Sequence, residues 1–260
     1  MPQNSVSTLQ ISIHFHGDLS DLLDRKSRRT GEVTLSIARR TSVKDAIESQ
    51  GVPHVEIGMI AVQGIPCEWA KLITTEERVD VWGIADVEDL SHSWRVDQPD
   101  PHSFRFMLDV HLGRLATYLR LLGFDAAYDS IDPGDERLAA RAQSESRILL
   151  SCDRGLLMRN QVHHGTLLRS RNSIEQTREI LERYHLHKQT APFTRCLACN
   201  GTLEVTEFAK IRDRIPPRVY RRCGDDPDHY RVCGDCGRIY WEGTHTARMR
   251  RLLAEWGIPG

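Results

Sequence analysis

The central stretch of the chain, residues 104–125, reads FRFMLDVHLGRLATYLRLLGFD. It begins with an apolar run of strand length that ends in Asp109, and it continues with apolar residues at helical spacing up to Gly123. A strand followed directly by a helix is the repeating unit of α/β proteins. This stretch therefore predicts an α/β domain in which Asp109 lies at the carboxyl end of the first strand.

The same alternation continues to about residue 190. Strands are predicted at 124–128, 147–151 and 165–168, and helices at 135–146 and 174–185. Ser173 and Gln176 have the spacing of a capping box at the start of the second of these helices. Because strands that alternate with helices favour a parallel sheet covered on both faces, we predict a central α/β domain over residues 103–190.

Residues 1–90 have a different pattern. Strand signals at 9–15 and 33–37 lead to a short helix that begins after Ser42, and further strands are predicted at 57–62 and 77–82. This β-β-α-β-β order resembles a ubiquitin-like β-grasp domain, most closely the sulfur carriers of thiamin and molybdopterin synthesis. Carrier chemistry is not expected, because a carrier needs a free terminal glycine and Gly83 is followed by Ile84. Residues 91–102, polar and containing two prolines, are predicted to be a linker.

Residues 191–260 contain two Cys-x-x-Cys pairs, Cys196 with Cys199 and Cys233 with Cys236. Two such knuckles form a tetrahedral thiolate site for zinc, and a segment this small needs a metal to supplement its core. We therefore predict a zinc ribbon followed by a C-terminal amphipathic helix near residues 246–256. An iron–sulfur cluster is the main alternative occupant of the four thiolates.

The remaining cysteines allow other arrangements. The chain has seven cysteines, an odd number that argues against a disulfide framework. Cys223 lies between the two pairs, as does His229, and either residue could replace one of the four ligands. Cys67 and Cys152 are expected to be ordinary buried thiols.

Several carboxylates follow predicted strands or begin predicted helices. Asp109 and Asp153 each come directly after a strand, and Asp135 begins a helix with Glu136 beside it. At one edge of a parallel sheet these groups would repel one another unless a divalent cation such as Mg²⁺ neutralised them. Such a cation would activate water for attack on a phosphodiester. Taken singly, each residue is also typical of a helix cap or a solvated turn.

Three motifs carry a resemblance to a known family: residues 106–125, residues 135–139 and residues 149–157. Together they resemble a PIN-like ribonuclease family named after the C-terminal domain of the mutator-seven exonuclease. The third motif usually has Thr-Arg where this chain has Ser151-Cys152. The resemblance runs to about residue 250 and includes the zinc ribbon, and bacterial members often carry a ubiquitin-like domain in front.

The resemblance implies an endoribonuclease with a Mg²⁺ or Mn²⁺ site. Its ligands would be Asp109, Asp135 and Asp153, with Glu136 as a fourth. The implied substrate is RNA, and three arginines are candidates for contacts with its phosphates: Arg114, Arg120 and Arg154. Arginines of the ribbon are interleaved with Tyr220 and followed by Tyr230, Tyr240 and Trp241, a pattern typical of surfaces that bind single-stranded RNA. Packing in the core of the ribbon is the alternative role for each of these aromatic residues.

The net charge and the hydrophobic pattern are compatible with an RNA-binding enzyme, but they do not by themselves indicate one. The formal net charge is −1, so charge alone does not indicate nucleic-acid binding. No apolar run is long enough to cross a membrane and the first residues lack a signal-peptide pattern, so a cytoplasmic location is expected. The alternative function is a non-catalytic RNA- or ribosome-binding adaptor that keeps the same fold. We also expect a protein partner for the ubiquitin-like domain.

Overall fold

The computed structural model describes residues 8–38, 40–87 and 104–259, so the predicted linker at 91–102 lies outside the described residues. Strands in these ranges are β1 (Leu9–Phe15), β2 (Glu32–Ile37), β3 (Thr41–Ser42), β4 (Ile57–Val62), β5 (Ile65–Pro66), β6 (Leu72–Ile73), β7 (Arg78–Gly83), β8 (Arg105–Leu108), β9 (Asp125–Tyr128), β10 (Ile148–Ser151), β11 (Gly165–Leu167), β12 (Leu203–Val205), β13 (Tyr230–Cys233) and β14 (Ile239–Trp241).

The α-helices are interleaved with these strands. They are α1 (Val43–Glu48), α2 (Gly113–Leu121), α3 (Asp135–Ser144), α4 (Arg154–Leu157), α5 (Ser173–Arg183), α6 (Phe208–Ile211), α7 (Pro217–Cys223) and α8 (Thr244–Glu255). Contacts divide the chain into two compact units, one of residues 1–100 with 134–167 and one of residues 101–133 with 168–260. The domain boundaries predicted from the sequence stay predictions.

The first unit contains the predicted β-grasp sheet. Its strand order is β2-β1-β7-β4-β5, with β1 antiparallel to β2 and parallel to β7. Alternate residues of β1, including Ile13 and Phe15, are buried together with Val79 and Val81 of β7. Helix α1 begins where predicted, because the Ser42 side chain accepts a hydrogen bond from the Asp45 amide at 3.0 Å. The element order of a ubiquitin-like domain is thus present.

Residues 134–167 complete the first unit. Strands β10 and β11 pair in parallel, and α3 packs against β10 and α4. The β-grasp residues contact this segment through polar groups. His54 Nε2 lies 2.7 Å from the Val162 carbonyl oxygen, and Glu56 Oε1 accepts a hydrogen bond from the Leu167 amide at 2.8 Å. The ubiquitin-like part is therefore fixed to strand β11 and to the segment before it by side chains that reach backbone groups.

The second unit contains β8 and β9, which pair in parallel, and α2, which packs against β9 and α5. The β8–β9 pair and the β10–β11 pair are thus both parallel, as predicted for the central α/β domain. In the C-terminal part, β12, β13 and β14 form an antiparallel sheet that carries the cysteines, and α8 follows it. The predicted fold class is confirmed: a ubiquitin-like β-grasp sheet, a central parallel sheet with helices, and a four-cysteine ribbon.

Two local predictions were wrong. Helix α5 is capped by the side chain of Asn172, which accepts from the Ile174 amide at 2.9 Å, and Ser173 is the first helical residue. Asparagine is as good an N-cap as serine, and the capping-box spacing concealed it. The exposed position of Cys152 also contradicts the expected burial, because this residue leaves β10 at the end of the strand. Cys67 is half-buried.

The carboxylate of Glu56 is 2% exposed, so its replacement gives a stability test. Glu56→Ala removes the acceptor of the Leu167 amide, and we expect the free energy of unfolding to fall by about 1–3 kcal/mol. Glu56→Gln keeps an acceptor oxygen and should lose less. Exposed Glu76 gives the control, since Glu76→Ala should change the value by less than about 0.5 kcal/mol. Urea titration of the full chain measures the free energy of unfolding of all three variants. Equal decreases for Glu56→Ala and Glu76→Ala would contradict the role of Glu56.

Candidate functional site

Asp109 directly follows β8 and begins a single 3-10 turn, Val110–Leu112, that leads into α2. The Tyr128 hydroxyl of β9 donates a hydrogen bond to the Val110 carbonyl oxygen at 2.9 Å and so fixes this turn. A Cβ at Gly113 would lie 2.7 Å from that hydroxyl, so a larger residue would displace the Tyr128 ring. The turn that carries Asp109 is therefore held by the neighbouring strand.

Asp153 directly follows β10 and is the N-cap of α4. Its Oδ1 accepts hydrogen bonds from the amides of Gly155 at 2.7 Å and Leu156 at 3.4 Å. The Asp153 amide donates in turn to the hydroxyl of buried Ser151 at 2.9 Å. Serine at this position supplies the same hydroxyl acceptor as threonine, so the departure of residue 151 from the family motif leaves the local geometry of Asp153 intact.

Asp135 and Glu136 occupy the first turn of α3, where negative charge is favourable at a helix N-terminus. Both side chains are exposed. Asp135 Oδ2 lies 3.7 Å from Nη2 of Arg159, just beyond α4. Asp135, Glu136 and Asp153 thus share the first compact unit, whereas Asp109 belongs to the second. The common metal site for the four carboxylates stays a prediction.

The three arginines predicted to contact RNA have different environments. Arg114 is exposed near the start of α2, with its guanidinium carbon 6.0 Å from the centre of the Tyr118 ring. Arg120, on the same helix, is only 5% exposed. It donates to the carbonyl oxygens of Ala126 at 2.9 Å and of Leu197 and Ala198 at 3.1 Å each. These contacts give Arg120 a structural role between α2, β9 and the first cysteine knuckle.

Arg154 follows Asp153 and is half-buried. Its Nη1 donates to the carbonyl oxygens of Leu22 at 2.7 Å and Gly51 at 3.2 Å, both in the β-grasp domain. One guanidinium nitrogen of Arg154 is therefore committed to joining the ubiquitin-like part to α4. Of the three arginines, Arg114 has the most exposed position.

The four predicted thiol ligands lie together. All four Sγ atoms are within 4.8 Å of one another, with Cys196 3.7 Å from Cys236 and Cys199 3.4 Å from Cys233. Cys196 and Cys233 are buried, whereas Cys199 and Cys236 are exposed. Neither Cys223 nor His229 joins the cluster: the Cys223 thiol points to the Glu242 carbonyl oxygen, and His229 Nδ1 lies 2.9 Å from the Cys223 carbonyl oxygen.

The thiols cannot all ionise easily without a cation. Burial opposes ionisation of Cys196, but hydrogen bonds from the Tyr240 hydroxyl and from two backbone amides lower its pKa to about 6. Burial together with hydrogen bonds among the thiols raises the pKa of Cys199 to about 12. A cation that accepts thiolates would remove this opposition, so the donor set fits one such metal ion.

The sequence did not reveal how the first knuckle is anchored. Asn200 lies between Cys199 and Gly201 with φ of 73°, a conformation that asparagine tolerates well. Its side chain donates to Asp125 Oδ1 at 2.7 Å and accepts from the Ala126 amide at 2.9 Å, which ties the knuckle to β9. Arg120 had a signal that was overlooked, because it comes four residues after buried Ala116 and so continues the buried stripe of α2.

Most of the ribbon aromatics have structural roles. Tyr230 is fully buried, and its hydroxyl donates to the Gly224 carbonyl oxygen. The Tyr240 hydroxyl contacts Cys196, and Trp241 lines a cavity of about 460 Å³ beside α8. Tyr220 is 45% exposed, although it stacks on Phe208 with ring centres 4.8 Å apart. Of these four aromatic residues, Tyr220 is the most accessible to a nucleobase.

Comparison with known proteins bears out both resemblances. The family model described as Mut7-C RNAse domain matches residues 104–253, and the model described as Mut7-C ubiquitin matches residues 8–87. No curated protein matches the chain. Within the described ranges, none of the helices combines the length and apolar character that a membrane span requires.

The two arginines of α2 give a matched test of structural role. Arg120→Met leaves the carbonyl oxygens of Ala126, Leu197 and Ala198 without their buried donor, and we expect a loss of about 3 kcal/mol in the free energy of unfolding. Arg114→Met removes an exposed charge from the same helix and should change it by less than about 0.5 kcal/mol. Thermal and urea unfolding measure both, and an Arg120→Met protein as stable as wild type would show that the contacts contribute nothing.

Proposed function

Because the chain belongs to the Mut7-C RNAse domain family, we propose that it is a metal-dependent endoribonuclease. The observation that carries the proposal is the family match over residues 104–253, which includes all four predicted carboxylates. We assign Asp109, Asp135 and Asp153 as ligands of a catalytic Mg²⁺ or Mn²⁺, with Glu136 as a fourth. Each of these residues directly follows a strand or lies in the first turn of a helix, as expected for groups at the ligand-binding edge of an α/β sheet.

The donor set suits a hard cation, because carboxylate oxygens are the ligands that Mg²⁺ and Mn²⁺ prefer. When bound, such a cation supplies Lewis-acid polarisation of a phosphoryl oxygen and a more acidic water. The protein itself holds the proposed metal ligands in place. The Ser151 hydroxyl and the N-terminus of α4 orient Asp153, and Tyr128 fixes the turn that begins at Asp109.

RNA is the proposed substrate, and Arg114 is the proposed phosphate contact. Its guanidinium is exposed near the start of α2, five residues along the chain from Asp109. Arginine binds phosphate oxygens in a bidentate manner, and the start of a helix adds favourable dipole charge for an anion. Arg154 uses Nη1 for its contacts with the ubiquitin-like domain, and its other guanidinium nitrogens could bind phosphate. The buried Arg120 is better explained by its hydrogen bonds to backbone carbonyl groups.

The cation of the ribbon is proposed to be zinc, held by Cys196, Cys199, Cys233 and Cys236. Four thiolates leave no open coordination position, so this metal stabilises the fold and takes no part in cleavage. The main competing occupant is an iron–sulfur cluster, which the same thiolates would suit.

The first test of the function is cleavage of a closed circular RNA in Mn²⁺. A circle has no ends, so only an endonuclease can open it. We expect wild type to open the circle, and Asp109→Asn and Asp153→Asn each to lower the rate at least a hundredfold. Asparagine at 153 keeps an acceptor oxygen for the α4 cap, so loss of cleavage would not reflect loss of the helix.

The matched control for this test is Asp213→Asn, which changes an exposed aspartate of the ribbon and should cleave at the wild-type rate. Equal cleavage by wild type and both site variants would refute the assignment of Asp109 and Asp153. RNA binding by wild type without any cleavage in Mn²⁺ or Mg²⁺ would favour the non-catalytic adaptor instead.

The second test concerns the ribbon metal. Elemental analysis of the purified chain should find about one zinc ion tightly bound per molecule. Cys199→Ser should lose this zinc and unfold the ribbon, because metal binding and folding are coupled in such sites. Cys67→Ser, outside the cluster, should keep it. Iron with visible absorbance, or zinc retained by Cys199→Ser, would contradict the proposal.

A further inference from the structure

We propose that the ubiquitin-like domain has a second metal site, in which His14, His16 and Asp80 bind a divalent transition-metal ion of the zinc type. The three residues lie on one face of the sheet formed by β1 and β7, where His14 and Asp80 are register partners. Their ligand atoms are within 4.8 Å of one another. This site is separate in sequence and in donor chemistry from the ribbon cysteines and from the nuclease carboxylates.

The spacing of the donor atoms suits a small metal ion. His16 Nε2 lies 3.0 Å from Asp80 Oδ1, and His14 Nδ1 lies 3.7 Å from the same oxygen. Two ligands at about 2.05 Å from a tetrahedral zinc are separated by about 3.3 Å. The observed distances bracket this separation, so small side-chain rotations would bring all three donors to one ion. Water would occupy the remaining position, since both histidines are 28% exposed.

Packing already holds the two imidazole rings in place. His16 stacks on Trp82 with ring centres 4.4 Å apart and planes 2° from parallel, and the His14 and His16 rings are 4.0 Å apart. Gly31 lies against His14: a Cβ there would be 3.3 Å from the ring carbon Cδ2 and 2.5 Å from the Phe15 carbonyl oxygen. Held rings lose little freedom on metal binding, which favours affinity.

The protonation state is also suitable. Arg78 Nη2 lies 3.1 Å from His14 Nδ1, and because a guanidinium can only donate, Nδ1 carries a lone pair. A neutral imidazole with a lone pair on Nδ1 is the form that binds metal, and Arg78 occupies that lone pair until a metal replaces it. Two imidazoles and one carboxylate favour zinc, nickel or copper over magnesium or calcium.

Arg78 is the cation that a metal would replace. Its guanidinium contacts Asp80 through Nε and Nη2, at 3.1 Å and 2.9 Å, and it is about half exposed, so it can leave toward solvent. Glu32, the register partner of His14 on β2, adds a further negative charge near the site. The alternative is that His14, His16, Arg78 and Asp80 form only an ion-pair network. That network predicts no metal affinity, so the two cases can be separated.

The test is a Zn²⁺ titration of the full chain with its ribbon metal already bound, followed by the ¹⁵N signals of the histidine rings. We expect the His14 and His16 rings to shift together and saturate at one additional zinc per chain, while exposed His187 does not respond. His16→Gln should weaken this additional binding at least tenfold. Arg78→Gln should tighten it about fivefold by removing the competing charge.

Folding is checked in the same samples, because backbone amide signals of β1 and β7 report whether the sheet is intact in each variant. His187→Gln is the matched control and should bind the additional zinc like wild type. His14 and His16 rings that do not respond to excess zinc would overturn the proposal. So would unchanged binding in a folded His16→Gln protein.

Discussion

A buried guanidinium needs acceptors on every side, and this requirement shapes the second unit. Arg120 satisfies it with backbone carbonyl groups from β9 and from the first cysteine knuckle, while Asn200 returns two hydrogen bonds from the knuckle to β9. The four-cysteine ribbon and the helix that follows Asp109 are thus parts of one polar network. A cation bound by the four thiolates would therefore support order in α2 as well as in the knuckles.

In the first unit, too, polar side chains bind backbone groups of a neighbouring segment. His54, Glu56 and Arg154 reach backbone groups across the boundary between the ubiquitin-like domain and residues 134–167. Asp153 is the N-cap of α4, and the next residue, Arg154, is held by a hydrogen bond to the Gly51 carbonyl oxygen of the ubiquitin-like domain. This arrangement assigns that domain a supporting role within its own chain, which differs from a carrier that must release a free terminus.

Local chemistry explains which features were predictable from the sequence. Periodic apolar residues and glycine punctuation identified the β-grasp order and the central strands, and the Cys-x-x-Cys spacing identified the two knuckles, since each depends on residues close in sequence. The role of Arg120 and the pairing of His14 with Asp80 depend on partners 77 and 66 residues away along the chain. Helix α7, between the knuckles, was missed because its arginines conceal the buried positions Val219 and Cys223. Long-range acceptors cannot be inferred from spacing alone.

Strand β11 illustrates what the docked ubiquitin-like domain does for the central sheet. This strand is last in the sheet order, and it contacts the turn His54–Glu56. The outward amide of Leu167 is bound by Glu56. An uncovered edge strand is a template for pairing with other chains, and proteins protect such edges with charges or covering segments. The ubiquitin-like domain therefore covers this edge, so the tendency of β11 to pair with other chains in a crowded solution depends on residues that lie outside the central sheet.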